Sequence, residues 1–151
     1  MTGKKLKTIP ARLESFEKYL ARTSEGEVLI PADPNMCAYG RNPYQAYDSS
    51  LTPLLFSDDL PDYIEPMVRV VVVEGRARSM PLLRKKGTHR DDGLTFTWTA
   101  GQNSALDDSK MRNGRDVGNI TVQRDGKDVV YDVTFAFVYK AFHGSKRIAM
   151  Q

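Results

Sequence analysis

Apolar residues along this chain recur at two spacings, and the two divide it unevenly. Leu13, Phe16 and Leu20 stand at i, i+3 and i+7, with Glu14, Glu17, Lys18 and Arg22 on the other faces. That spacing predicts a helix from about Arg12 to Thr23, with Pro10 ahead of it and Gly26 beyond. A short strand over Glu27–Ile30 is expected next. From Met67 onward the period is two. Val68, Val70 and Val72 alternate with Arg69, Val71 and Val73, and both sets are largely apolar, so this strand should be covered on both faces. Glu74-Gly75 turns it into a second strand, Arg76–Met80. Leu94, Phe96 and Trp98 alternate with Thr95, Thr97 and Thr99 in another half-buried strand. Ile120 and Val122 open a further strand that turns at Asp125-Gly126, a two-residue hairpin signal. Val129, Tyr131, Val133, Phe135, Phe137 and Tyr139 continue the alternation and predict one long strand over Asp128–Phe142. Pro81–Lys86 reads as a turn or helical piece, Gly87–Gly93 as an exposed polar loop, and the tail as a last short strand through Ile148 or a frayed end.

Two segments break both periods. Residues 31–66 hold six of the eight prolines and four tyrosines. Proline fixes φ and removes a donor, which excludes one regular helix or a central strand. Leu51, Leu54, Leu55, Phe56 and Leu60 are too many apolar residues for disorder. The segment should wrap the core with its aromatics packed down, or form a lid over a ligand. The second is Gly101–Val122, GQNSALDDSKMRNGRDVGNITV, a run of polar turn-formers between two patterned strands. Together these patterns predict a mainly β, α+β fold: an antiparallel sandwich or barrel-like sheet, one N-terminal helix and a long Pro/Tyr-rich wrapping loop. The 151 residues suit a single domain.

Composition narrows the function classes. The net charge of +3 is spread over small clusters such as Lys4–Lys7 and Arg84–Lys86, which argues against nucleic-acid binding. Cys37 is the only cysteine, which excludes an internal disulfide and any site of paired thiolates. The longest apolar run, Met67–Val73, is interrupted by Arg69 and falls short of a membrane span. No apolar segment follows the first lysines, so no signal peptide is read here.

Candidate chemistry falls in the two irregular segments. Asp107, Asp108 and Asp116, with Asn103 and Asn113, are hard oxygen donors of the kind calcium takes, but their spacing does not match the EF-hand loop. Asp, Asn and Ser also cap turns and short helices, and the capping reading is preferred, with Asn103 or Ser104 opening a helical turn through Met111. No metal or other cofactor is assigned. In YGRNPYQAYDSS, Arg41 and Tyr44 suit a ligand or peptide site, and they equally suit a loop that ties itself down, with Asp48 accepting from backbone N–H groups. His89 lies near Asp91 and Asp92 in sequence. Nearness along the chain does not make a catalytic triad, and no catalytic residue is assigned.

These segments also carry a resemblance. GQNSALDD, NGRDVGNITV and FAFVYKAFHG, with YGRNPYQAYDSS, VVVVEGRARSMPL and the opening TGKKLKTIPARLESFEKYL, resemble DUF3179, a family of domains of unknown function in exported bacterial and archaeal proteins. The chain resembles the C-terminal half of that family, lacking an upstream hairpin and Cys-Pro-x-Cys motif. The resemblance implies a fragment or split domain from a periplasmic or extracellular parent. Arg41, Asn42, Pro43, Tyr44, Asp48, Ser104, Ala105 and Leu106 match its motifs, and Asp107, Gly114, Arg115 and Asp116 fit them more loosely. Some of these must be architectural, Gly114 most obviously as a residue free to take positive φ.

Three expectations follow. The first is an extracytoplasmic β-rich module that binds a ligand or protein partner, using Arg41, Asn42, Tyr44, Tyr47, Asp48, Asn103, Ser104, Asp107, Arg115 and Asp116. The second is a hydrolytic or metal-dependent enzyme built on Asp107, Asp116 and His89. The third is a purely structural half-domain that associates, with itself or a partner, through an open sheet edge.

Overall fold

A computed structural model describes residues 3, 6–37, 39 and 42–151. Its strands form two antiparallel sheets. The strands are β1 (Arg69–Val73), β2 (Arg76–Ser79), β3 (Thr88–Asp91), β4 (Leu94–Thr99), β5 (Asn119–Arg124), β6 (Lys127–Asp128) and β7 (Asp132–Phe135). One sheet has the order β2-β1-β7 and the other β3-β4-β5-β6. The helices are α1 (Phe16–Arg22), α2 (Met80–Lys86) and α3 (Ala136–His143). The sheets pack as a sandwich and do not close into a barrel.

The continuous apolar run of β1 explains the layering. Val71 and Val73 face the second sheet, in a core with Met80, Leu83, Leu94, Phe96, Ile120 and Val122. Val70 and Val72 face the other way, against Ala77, Ala136, Tyr139 and Ile148. The strand is therefore covered on both faces, as its sequence predicts. A third cluster, Met67, Phe135 and Phe137, closes one end under Tyr47 and Phe56. Three hairpins turn on Glu74-Gly75, Asp92-Gly93 and Asp125-Gly126, each pair with positive φ at both residues. That geometry matches the right-handed twist of paired strands.

Several elements differ from expectation. The long strand over 128–142 does not exist: the chain leaves β6, forms β7 and then turns helical at Ala136. The first N–H groups of α3 are satisfied by distant carbonyls, Ala136 N–H donating to Val68 O at 2.9 Å and Phe137 N–H to Pro66 O at 3.0 Å. A side-chain cap is therefore dispensable. The predicted polar loop 87–93 instead holds β3, an edge strand paired with β4. The first helix starts at Phe16, capped by Ser15, and buries none of its residues. Leu13, Phe16 and Leu20 are exposed, and 27–30 is not a strand. In the proline-rich segment, Tyr47, Phe56 and Tyr63 pack down, but Leu51, Leu54 and Leu55 face outward. The tail does add to the sheet: Ala149 bridges Arg78 in parallel, and Ile148 N–H donates to the Tyr63 hydroxyl.

Candidate functional site

The polar stretch after β4 is a folded-back loop held by its own carboxylates. Asp116 accepts from the N–H groups of Gly101 (3.0 Å), Gln102 (3.2 Å) and Gly118 (2.8 Å). Burial pushes the Asp116 carboxyl up, and these three donors outweigh it and hold the group below its usual range. Asp107 accepts from Arg115 N–H at 2.8 Å, and Asp108 from Lys110 N–H at 2.8 Å. Asn103 donates to Arg112 O at 2.9 Å. Residues 105–107 form a turn and 108–110 a bend, followed by a single 3-10 turn, Met111–Asn113, where the sequence suggests a helical turn. Gly114 has φ −63°, so it is not chosen for positive φ. A Cβ there would lie 2.4 Å from Ser104 O, and close approach is the reason for glycine. Among the described residues, no three His, Cys, Asp or Glu side chains gather as a metal site.

The loop from Asn42 to Ser50 docks along this stretch. Ala46 N–H donates to Asp107 O at 2.8 Å and Asp48 N–H to Leu106 O at 3.1 Å. Asn42 donates to Asp108 O at 3.2 Å. At the junction Asp48 is buried, 2% exposed. Its Oδ1 accepts from Arg69 Nε at 3.1 Å, and Arg115 Nη2 stands 3.4 Å from Oδ2. The same Nη2 donates to the Asp48 backbone carbonyl. The 3.4 Å approach is an ion pair without hydrogen-bond alignment, so Oδ2 has no hydrogen-bond partner. Buried Ser104 accepts from Arg69 Nη2 at 3.3 Å and from Leu106 N–H at 3.1 Å. Burial alone would raise the Asp48 pKa, but Ser104, Arg69 and Arg115 pull it below the ordinary carboxylate value. Asp48 is thus bound by arginine side chains, where the sequence suggests backbone N–H groups.

A cleft of about 380 Å³ opens beside this cluster, lined by Asp48, Arg69, Arg115, Asp116, Met67 and Met80 among others. Arg84 of α2 also lines it, its guanidinium 5.4 Å from the centre of the Trp98 ring. The indole is fixed in turn: Trp98 Nε1 donates to Val117 O at 3.3 Å. A Cβ at Gly118 would fall 2.1 Å from that nitrogen.

The expected site residues therefore separate. Asp48, Arg115 and Asp116 line the cleft, and Ser104 lies beneath Arg69. Asn42 and Asp107 stitch the two loops, and Asn103 binds within the 101–117 stretch. Tyr47 packs edge-on against Phe135 at 5.8 Å, and Tyr44 is 61% exposed and does not line the cleft. Arg41 lies outside the described residues. His89 sits on β3 opposite Phe96 and makes no hydrogen bond to Asp107 or Asp116. Of those three, only Asp116 lines the cleft. Sequence reasoning missed Arg69 and Arg84. Arg69 left a signal, a lone charge inside a valine run; Arg84 left none, because its place depends on how α2 packs.

Residues 1–146 match the family described as Protein of unknown function (DUF3179), and the chain belongs to it. No curated protein and no solved structure matches the chain.

Proposed function

We propose, for this member of a family whose activity is unassigned, an extracytoplasmic β-rich module that binds a ligand in the cleft bordered by the end of the 42–50 loop, the approach to β1, α2 and Arg115–Val117. The observation carrying this reading is a concave, largely apolar surface whose lining also carries Arg69, Arg84 and Arg115 with Asp48, Glu65 and Asp116. Small-molecule sites combine an apolar lining with a few placed polar groups. Ligand-library screening with amide chemical-shift mapping tests it. Binders should move the amides of Asp48, Arg69 and Val117, and binders that all map elsewhere would refute it. The extracytoplasmic placement rests on the resemblance, and fractionating cells that express the full-length protein checks it.

A second reading, a structural part of a larger assembly, draws support from the exposed apolar residues ahead of β1. Phe16, Leu20, Leu29 and Leu55 are each more than half exposed, and such surface often marks a contact. Light scattering that finds only monomers, together with failure to recover a partner from native membranes or periplasm, would count against it.

A further inference from the structure

Among the described residues the two sheets end in four strands, and three of these edges are covered, short or charged. β2 carries the tail, Ala149 N–H donating to Ala77 O and Ser79 N–H to Ala149 O. β6 has two residues. β3 presents His89, Arg90 and Asp91, and charged side chains protect an edge from pairing. β7 is different. It ends the β2-β1-β7 sheet, and among the described residues no strand pairs with its outer side. Ala136 N–H donates to Val68 O, and the register steps back from there through Val70–Thr134 to Val72–Asp132. Those residues turn their backbone groups to β1, so Val133 between them turns its N–H and C=O outward.

A hollow of about 360 Å³ lies along this edge, between β7 and α3. Val72, Asp132 and Thr134 line its floor, and Val138 and Phe142 its helical wall. α3 runs back along β7, since Tyr139 reaches Gly75 at the far end of β1. From Ala136 to Phe142 it advances about 9 Å, nearly three strand residues, which brings Phe142 level with Val133. That ring is 82% exposed. A two-fold axis at Val133 matches each of these groups with its own counterpart: N–H with C=O twice, and ring with ring. It also sets Asp132 opposite the partner's Thr134, so no like charges meet across the pair. We propose that β7 is a dimerisation edge, where a second copy of this chain pairs antiparallel about Val133 and the two Phe142 rings close the hollows above the joined strands. The pairing is independent of the cleft, and it gives the assembly reading above a face and a partner.

Sedimentation equilibrium on the whole chain should approach twice its 17.0 kDa as concentration rises. Over the same range the Val133 amide should gain more protection from hydrogen exchange than those of Asp132 and Thr134. Phe142→Asp should weaken the dimer at least tenfold. Thr134→Asp, which faces like charges across the axis, should weaken it as well, and Thr134→Lys should strengthen it. Unfolding temperatures of the dilute monomers, unchanged by these substitutions, separate the effect from misfolding. Should Thr134→Asp unfold, Phe142→Asp and the Val133 exchange decide alone. A chain that stays monomeric to about 1 mM overturns the pairing, and recovery of a different partner then decides the assembly reading. A dimer of undiminished strength in Phe142→Asp, with Val133 unprotected, also overturns it and moves the contact to another face.

Discussion

Asp48 is where a single substitution should have the widest effect. Asp48→Asn removes the charge that both Arg69 and Arg115 face, leaving one guanidinium nearly buried. Breaking a buried pair costs about 3–5 kcal/mol, and the exposure of Arg115 places this case near 3 kcal/mol, measurable by denaturant unfolding. The acid behaviour follows from the direction of the shift. The folded Asp48 pKa lies below the ordinary carboxylate value, so its stabilisation is complete above that ordinary value. It is lost as pH falls through the lower folded pKa. The stability gap between the native chain and Asp48→Asn should therefore narrow below about pH 4, and a gap that widens in acid would contradict the assignment. At Gly118 the φ of +77° and the 2.1 Å approach to Trp98 act together. Gly118→Ala should cost on the order of 2 kcal/mol and shift the indole emission. The sequence marked Asp48, Ser104, Arg115 and Asp116 because short polar residues concentrate where backbone groups lack regular partners. It could not show that Asp48 meets β1, because that contact joins segments 21 residues apart.

At the scale of elements, legibility followed the origin of the stabilising contacts. The hairpins at 74–75 and 125–126 were visible because turn residue and alternation are both local. α3 was not, because aromatic and aliphatic residues on every second position fit a strand as well. Its N-terminus is closed by Pro66 and Val68 carbonyls, which no neighbouring residue announces. β3 was missed for the opposite reason: Thr-His-Arg-Asp at an exposed edge has no buried face to produce alternation. α3 is also tied to the first hairpin, the Tyr139 hydroxyl donating to Gly75 O at 3.0 Å. Tyr139→Phe should cost about 1 kcal/mol, read by thermal unfolding, with the β1–β2 register unchanged.

Across the whole molecule, burial is uneven. The hydrophobic clusters draw their buried members from residues 67–148, while 23–37 contains no regular element and is almost wholly exposed. The helix ahead of it is held by polar contacts, among them Arg12 to Asp128 at 2.6 and 2.7 Å and Ser15 N–H to Asn119 at 2.7 Å. A low-specificity protease should cut first within 23–37 and leave the sheets intact. Arg12→Ala should quicken that cleavage while lowering global stability by no more than about 1 kcal/mol. Early cleavage inside β4 or β5 would show that the division is wrong.

The double grip of Arg115 on Asp48, through its carbonyl and its carboxylate, has a consequence for hydrogen exchange. The amides of Ala46, Asp48, Ser104 and Arg115 all donate across the two loops or within the stretch they share. The Ala46 and Asp48 amides cross between the loops, and those of Ser104 and Arg115 hold the segment on which they dock. They should exchange with deuterium at a common rate, as one locally opening unit. Arg115→Ala should speed all four together while leaving the amides of β1 and β5 at their original rates.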